Sequence, residues 1–210
     1  MNQTQGNKIQ VAGVDVSYFE DLGIACAVLL SFPDFQVLEK KFAWGKPRFP
    51  YIPGFLAWRE GGLCLGAVGK LKTKPDLLFV DGAGTAHPFR FGLATFLEER
   101  LQIPTIGVTK KRFVGQYNPA SPERGSYSPI ILNGEKIGAA VRTREGVREL
   151  FISPGKSLSI EEAIFWTLLF SKYRKPEPLC MAHQFSRLAF KERGKLVDHQ
   201  KRENHFLKSP

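Results

Sequence analysis

The chain has 210 residues, enough for one well-buried domain and too few for two ordinary ones. A hydrophobic fraction of 43% with 17 phenylalanines excludes a disordered chain, and three scattered cysteines (Cys26, Cys64, Cys180) without a CxxC exclude a disulfide framework or a zinc knuckle. The formal charge of +10 suits a polyanionic partner or simply a basic surface, and charge alone does not separate the two.

Residues 8–18 read as a strand, and the apolar run 23–31 as a second, joined by turn residues. A third strand is expected over about 35–44, after the Pro33–Asp34 break, completing an antiparallel meander. Pro50 and Pro53 bracket a rigid turn, and Pro53 suits the first turn of a helix from about 53 to 71. That helix carries Gly61, Gly62, Gly66 and Gly69, so either packing holds it or it breaks near Gly61–Gly62.

Residues 76–81 form a short apolar run, typical of a buried central strand. Phe89, Leu93, Phe96, Leu97 and Leu101 recur at helical spacing, which predicts a helix over 88–102. With the strand 105–108 this makes a βαβ unit, and Asp81 falls at the carboxyl end of a parallel strand, where open α/β sheets bind ligands. Residues 115–128 are turn-rich, and Asn133–Gly134 marks a hairpin. Another strand is expected at about 148–152. Ser159 and Glu162 form a capping box for a helix over 160–173 that is apolar on nearly every side and should be buried centrally.

Residues 171–210 hold ten Lys or Arg against four acids, so the carboxyl terminus reads as a basic tail that touches phosphates or stays solvated. The division expected is a single domain over 1–190 and a tail over 191–210. No apolar run approaches a membrane span, and the amino-terminal MNQTQGNK lacks an apolar core, so a cytoplasmic protein with no membrane partner is expected. Antiparallel strands, a βαβ unit, then strands and a helix describe an α/β fold: a mixed sheet flanked by helices, best matched by the ribonuclease-H-like architecture.

Three acids stand out by their surroundings: Asp15 in VAGVDVSY, Glu60 in PYIPGFLAWREGG and Asp81 at the end of LLFVDGAG. Buried carboxylates are costly without a cation or a partner. Two strand-borne aspartates with a helix-borne glutamate suit a divalent-metal site for phosphodiester cleavage. Taken singly, each is more simply a turn-capping Asp or a solvated helix-face Glu.

Together with IPTIGVTKKR and SYSPIILNGEKIGAAVRTREGVRELFISPG, these segments resemble the endonuclease V family, repair nucleases that act on deaminated adenine, over roughly residues 8–185. The PYIPG turn ahead of Arg59–Glu60, followed by VDGAGTAHP, carries most of that likeness. The resemblance implies that Asp15, Glu60 and Asp81 form an acidic site for Mg²⁺, with Mn²⁺ as a substitute. It implies hydrolysis at the second phosphodiester bond 3′ to the lesion, leaving a 5′-phosphate and a 3′-hydroxyl. Tyr51 matches a wedge that separates strands beside the altered base; its alternative reading is a lid on the core.

By the same resemblance, the PYIPG turn with Pro53 and the loop with Gly82 and Gly84 line a hypoxanthine pocket. His87 contacts the strand or caps the following helix. Lys110 lies near the scissile phosphate, where its charge assists the transition state. Relatives carry a His at the position of Lys156, after the Ser-Pro-Gly turn, so a lysine is expected at the rim of the acidic site in place of an imidazole. The partner implied is deoxyinosine-containing DNA cut by a monomer. Inosine-containing RNA is the nearest alternative, and a non-catalytic nucleic-acid-binding homologue is a third reading.

Overall fold

The computed structural model describes the backbone of residues 8–206 and side chains through residue 192. The meander forms as β1 (Gln10–Phe19), β2 (Leu22–Ser31) and β3 (Val37–Gly45). The glycine-bearing helix follows as α1 (Leu56–Val68). Then come β4 (Leu77–Asp81), α2 (Leu93–Leu101), β5 (Thr105–Thr109), β6 (Tyr127–Leu132), β7 (Glu135–Val141), β8 (Leu150–Pro154), α3 (Ile160–Phe170) and α4 (Glu177–Phe206).

The eight strands make one mixed sheet in the order β3-β2-β1-β4-β5-β8-β7-β6. β4 runs parallel to both β1 and β5, and the other neighbours are antiparallel. This is the ribonuclease-H-like arrangement. Successive side chains of a strand point to opposite faces. Ala12, Val14, Leu78 and Val80 accordingly pack against α1 and α2, while Val11, Leu77 and Phe79 pack against α3 and the start of α4.

α1 is unbroken across Gly61–Gly62 because packing holds it. The Phe96 ring of α2 sits where a Gly61 side chain would go, 2.5 Å from an added Cβ. Helix α2 is shorter than its apolar spacing predicts: Phe89 is exposed, Arg90 has φ +55°, and residues 82–92 form a loop. Helix α3 is not buried on all sides. Ala163, Ile164, Thr167 and Phe170 face the sheet, whereas Phe165 and Leu169 are exposed. A face of helix can be apolar without being covered, and hydropathy alone misjudged this one.

The larger departure is α4, a helix not anticipated from the sequence and one that runs across the expected boundary between domain and tail at residue 190. Its first turns are part of the core: Leu179, Ala182 and Ser186 are fully buried at helical spacing. The helical backbone runs on through residue 206, whereas the side chains of 193–210, most of the expected tail, lie outside the described residues.

What lets α4 lie so close is Gly13 in β1. A Cβ there would stand 2.3 Å from the carbonyl carbon and oxygen of Pro178 and 2.8 Å from the Leu179 nitrogen. Further along the same face of β1, Ser17 Oγ meets Ser186 Oγ at 2.6 Å. Gly13→Ala therefore forces helix backbone off the sheet. It should destabilise the protein by about 1–3 kcal/mol, the usual cost of overpacking, read from the urea midpoint; an unchanged midpoint would contradict the close packing described.

Candidate active site

Asp15 and Asp81 are brought together by main-chain pairing. β1 and β4 run parallel with Val14 opposite Val80, so one step further along sets Asp15 beside Asp81. By alternation both carboxylates point to the α3/α4 side of the sheet. Asp15 is only 7% exposed. Burial foremost, then the charge of Asp81, raises its pKa above the ordinary carboxylate value, against the pull of Lys175 and His183.

Glu60 arrives from the opposite layer. It lies on α1, is 9% exposed, and its carboxyl is pushed up to about 8. Burial is the main cause; repulsion from Asp15 and Asp81 adds to it, while the neighbouring Tyr18 hydroxyl and Arg59 pull the other way. The three acids thus gather at the central strands β1 and β4, where the charge of Asp81 adds to burial in raising the pKa of both Asp15 and Glu60.

Two groups from the carboxyl-terminal part of the chain answer this charge. His183 of α4 places Nδ1 2.6 Å from Asp15 Oδ2. Lys175, in the turn before α4, donates from Nζ to Asp81 Oδ2 at 2.7 Å. Neither was singled out from sequence. The signal for His183 was present, because it follows Leu179 and Ala182 on an amphipathic helix opened by Pro176-Glu177-Pro178, but the basic residues around it favoured a solvated reading.

Next to the acids lies a pocket of about 340 Å³, a size that suits a small ligand or a single base. Its lining includes Tyr51, Pro53, Gly82, His87 and Phe113. The PYIPG turn beside it is clamped at both ends. Arg59 Nη1 donates to the Phe49 carbonyl at 2.8 Å, and His87 Nε2 is 2.9 Å from the Gly54 carbonyl oxygen. The Phe89 backbone N–H donates to His87 Nδ1 at 3.3 Å, which leaves Nε2–H as the donor to Gly54 and the ring neutral. Burial, opposed by the Gly54 contact, lowers the His87 pKa and keeps it so.

Between its anchors the turn projects Tyr51, 69% exposed. An exposed ring is not a lid on the core. Trp58, Phe89 and Phe113 are exposed as well. His87 does not cap α2; it fastens the turn and lines the pocket. Gly84 lies outside the pocket lining, where an added Cβ would come 2.0 Å from the Pro154 carbonyl oxygen, so this glycine seats the loop on β8. Lys110 is exposed just past β5, and its charge, like those of Lys175 and Asp81, acts on Cys180 in α4.

Lys156 is not at the rim of the acidic site. β8 runs antiparallel to β5, pairing Pro154 with Ile106, so the Ser-Pro-Gly turn leaves at the end of the sheet opposite to Asp81. There the Lys156 ammonium pairs with Glu99, and its backbone N–H, with that of Ser157, donates to the buried Glu98 carboxylate. Strand direction, which the local motif does not encode, decides this.

A profile of the Endonuclease V family matches residues 1–184. The chain belongs to the endonuclease V family. It is 44% identical to the endonuclease V of a Nostoc species over 179 residues, covering 84% of this chain and 81% of that one. The crystal structure of endonuclease V from Streptomyces avermitilis, 39% identical, superposes with a TM-score of 0.84 over 89% of this chain and 83% of that one. That of Ciona intestinalis endonuclease V, 28% identical, superposes with a TM-score of 0.77 over 89% of this chain and 87% of that one, and holds a DNA containing an inosine followed by a ribo-adenosine. This chain is an endonuclease. Among the described residues no helix is long and apolar enough to cross a membrane.

Three mutually repelling carboxylates are a donor set for a hard divalent cation, which prefers oxygen ligands and would relieve their repulsion. As they stand, the described residues contain no group of three or more His, Cys, Asp or Glu already arranged to hold one. The charge of the cluster fits such an ion.

The pH behaviour of Glu60 tests whether its carboxyl is held at a raised pKa by burial and by its acidic neighbours. Its folded pKa is raised, so its contribution to stability is complete below the unfolded value near 4.5 and is lost as the pH climbs through about 8. Glu60→Gln, always neutral, should therefore gain thermal stability relative to the parent protein as the pH rises from about 5 to about 9 in EDTA. Parallel melting profiles across that range would show that the folded state does not raise the Glu60 pKa.

Proposed function

We propose that this endonuclease cuts nucleic acid at deaminated adenine, taking the hypoxanthine base into the pocket beside Gly82 and breaking the second phosphodiester bond on its 3′ side. The observation that carries the reading is the contact between two devices: a carboxylate cluster of strained charge, and an adjoining pocket whose neighbouring turn is clamped to present an exposed tyrosine. The inosine-containing DNA held by the Ciona relative supports it.

In this reading Asp15 and Asp81 hold Mg²⁺ or Mn²⁺, with Glu60 and His183 completing or orienting the site. When bound, the ion supplies an activated water and charge neutralisation at the leaving oxygen. The protein's own groups do the rest. His183 fixes the Asp15 carboxylate through Nδ1. Tyr51, rigid between Arg59 and His87, fills the gap left by an extruded base, where stacking on bases is worth about 1–3 kcal/mol. Lys110, past the end of β5, offers positive charge to the strand being cut. Excess positive charge on the chain draws the polyanion in and makes its affinity fall with salt.

The test is cleavage of matched strands, DNA and RNA, with inosine or adenine at one position, in Mg²⁺ and in EDTA. Cleavage should require both inosine and the cation, and the preferred sugar will name the substrate. Asp15→Asn and Asp81→Asn should each lower the rate by about 10²-fold or more while inosine-strand binding in Ca²⁺ persists. Tyr51→Ala should impair duplexes more than single strands, because only the duplex must be unstacked. Equal cleavage of inosine and adenine strands, or undiminished cleavage by either Asn variant, would overturn the reading.

A further inference from the structure

We propose that Lys175 is a built-in cation of the acidic centre, competing with the divalent ion for Asp81 and so setting how much metal the enzyme needs. The inference rests on the metal-centre reading given above. It starts from one contact: Lys175 Nζ donates to Asp81 Oδ2 at 2.7 Å, with the lysine side chain only 13% exposed and that of Asp81 27%. This is not a surface pair of mobile side chains, whose geometry and energy are easily lost to solvent.

The lysine is also delivered rigidly. It precedes Pro176, which disfavours the helical region for Lys175 and so separates it from α4. On its amino-terminal side, Arg174 donates from Nε to the Arg148 carbonyl and from Nη2 to the Glu149 carbonyl, each at 2.9 Å. The Arg174 carbonyl accepts from the buried Thr143 hydroxyl at 2.6 Å. On its carboxyl-terminal side, Pro178 lies against β1 in the notch left by Gly13. The segment is thus tied to the β7–β8 connection on one side and to β1 on the other, and the ammonium is held at the Asp81 carboxylate.

An ammonium has three donors and no acceptor, so it satisfies a carboxylate but cannot share one with a metal by ligating it. A divalent ion that takes Asp81 must displace Lys175 or crowd two positive charges against each other. Either event weakens binding of the ion. In exchange, the free enzyme keeps Asp81 neutralised, in place beside Asp15, without metal.

The experiment is calorimetric titration of the whole protein with Mg²⁺ and with Ca²⁺, together with melting curves with and without the ion. Lys175→Met keeps the stem and removes the charge; Lys175→Gln is a second neutral variant, and Lys175→Arg retains the charge. Both neutral variants should bind either ion about tenfold more tightly, melt lower in EDTA, and show a larger rise in Tm on adding the ion, whereas Lys175→Arg should follow the parent. Saturable binding of unchanged or weaker affinity in the neutral variants would overturn the competition while leaving the metal centre intact. Absence of binding in every form would overturn the metal centre, and this inference with it.

Discussion

Two carboxylates held side by side by a parallel pair of strands are the constraint from which the rest of this structure follows. The hydrogen bonds of β1 to β4 fix Asp15 beside Asp81 whatever their charge. Burial then makes their proximity expensive: desolvation first, and then the charge of Asp81, raises the pKa of Asp15. The fold answers with positive or proton-bearing groups brought from far along the chain: His183 onto Asp15 and Lys175 onto Asp81. Those groups reach the edge only because α4 can lie against β1 at Gly13. A packing notch in the first strand and the charge balance of the site are one arrangement.

The pocket and its neighbouring turn are built by the opposite logic. There the energetic problem is mobility, and the turn 50–54 is fastened at its two ends by a guanidinium and a neutral imidazole. Arg59 and Glu60 are neighbours on α1, so the residue that anchors the turn and the acid that faces the aspartates move as one rigid element. In the proposed function, a base taken into the pocket would thereby be registered against the carboxylates without any flexible link between them. This coupling of binding geometry to the reacting edge is what positioning contributes to a rate.

Much of this was legible in the sequence. The alternation and apolar runs around Asp15 and Asp81 identified two core strands, and the βαβ order put Asp81 at a ligand-binding end. The Asn133–Gly134 hairpin formed as expected, with φ of +53° and +81° at the two residues. What could not be read were facts of direction and coverage. Nothing local to Ser153-Pro154-Gly155 says that β8 runs against β5, so Lys156 was placed near acids that lie at the other end of the sheet. Nothing in α3 says which of its apolar faces will be left bare. The buried stripe of α4 was masked by charge: Leu179, Ala182 and Ser186 form a short pattern within a segment of net positive charge, and the charge dominated the reading. His183 and Lys175 were lost with it.

The proposed chemistry depends on Asp15 and Asp81 together holding a divalent cation. Crystals soaked in Mn²⁺ and measured at the manganese absorption edge test it directly, because anomalous scattering locates that ion and no light atom. The account predicts a manganese peak in contact with both Asp15 and Asp81, with the Lys175 ammonium withdrawn from Asp81. Manganese bound elsewhere, or a bare edge with the Lys175–Asp81 pair intact at saturating Mn²⁺, would contradict it.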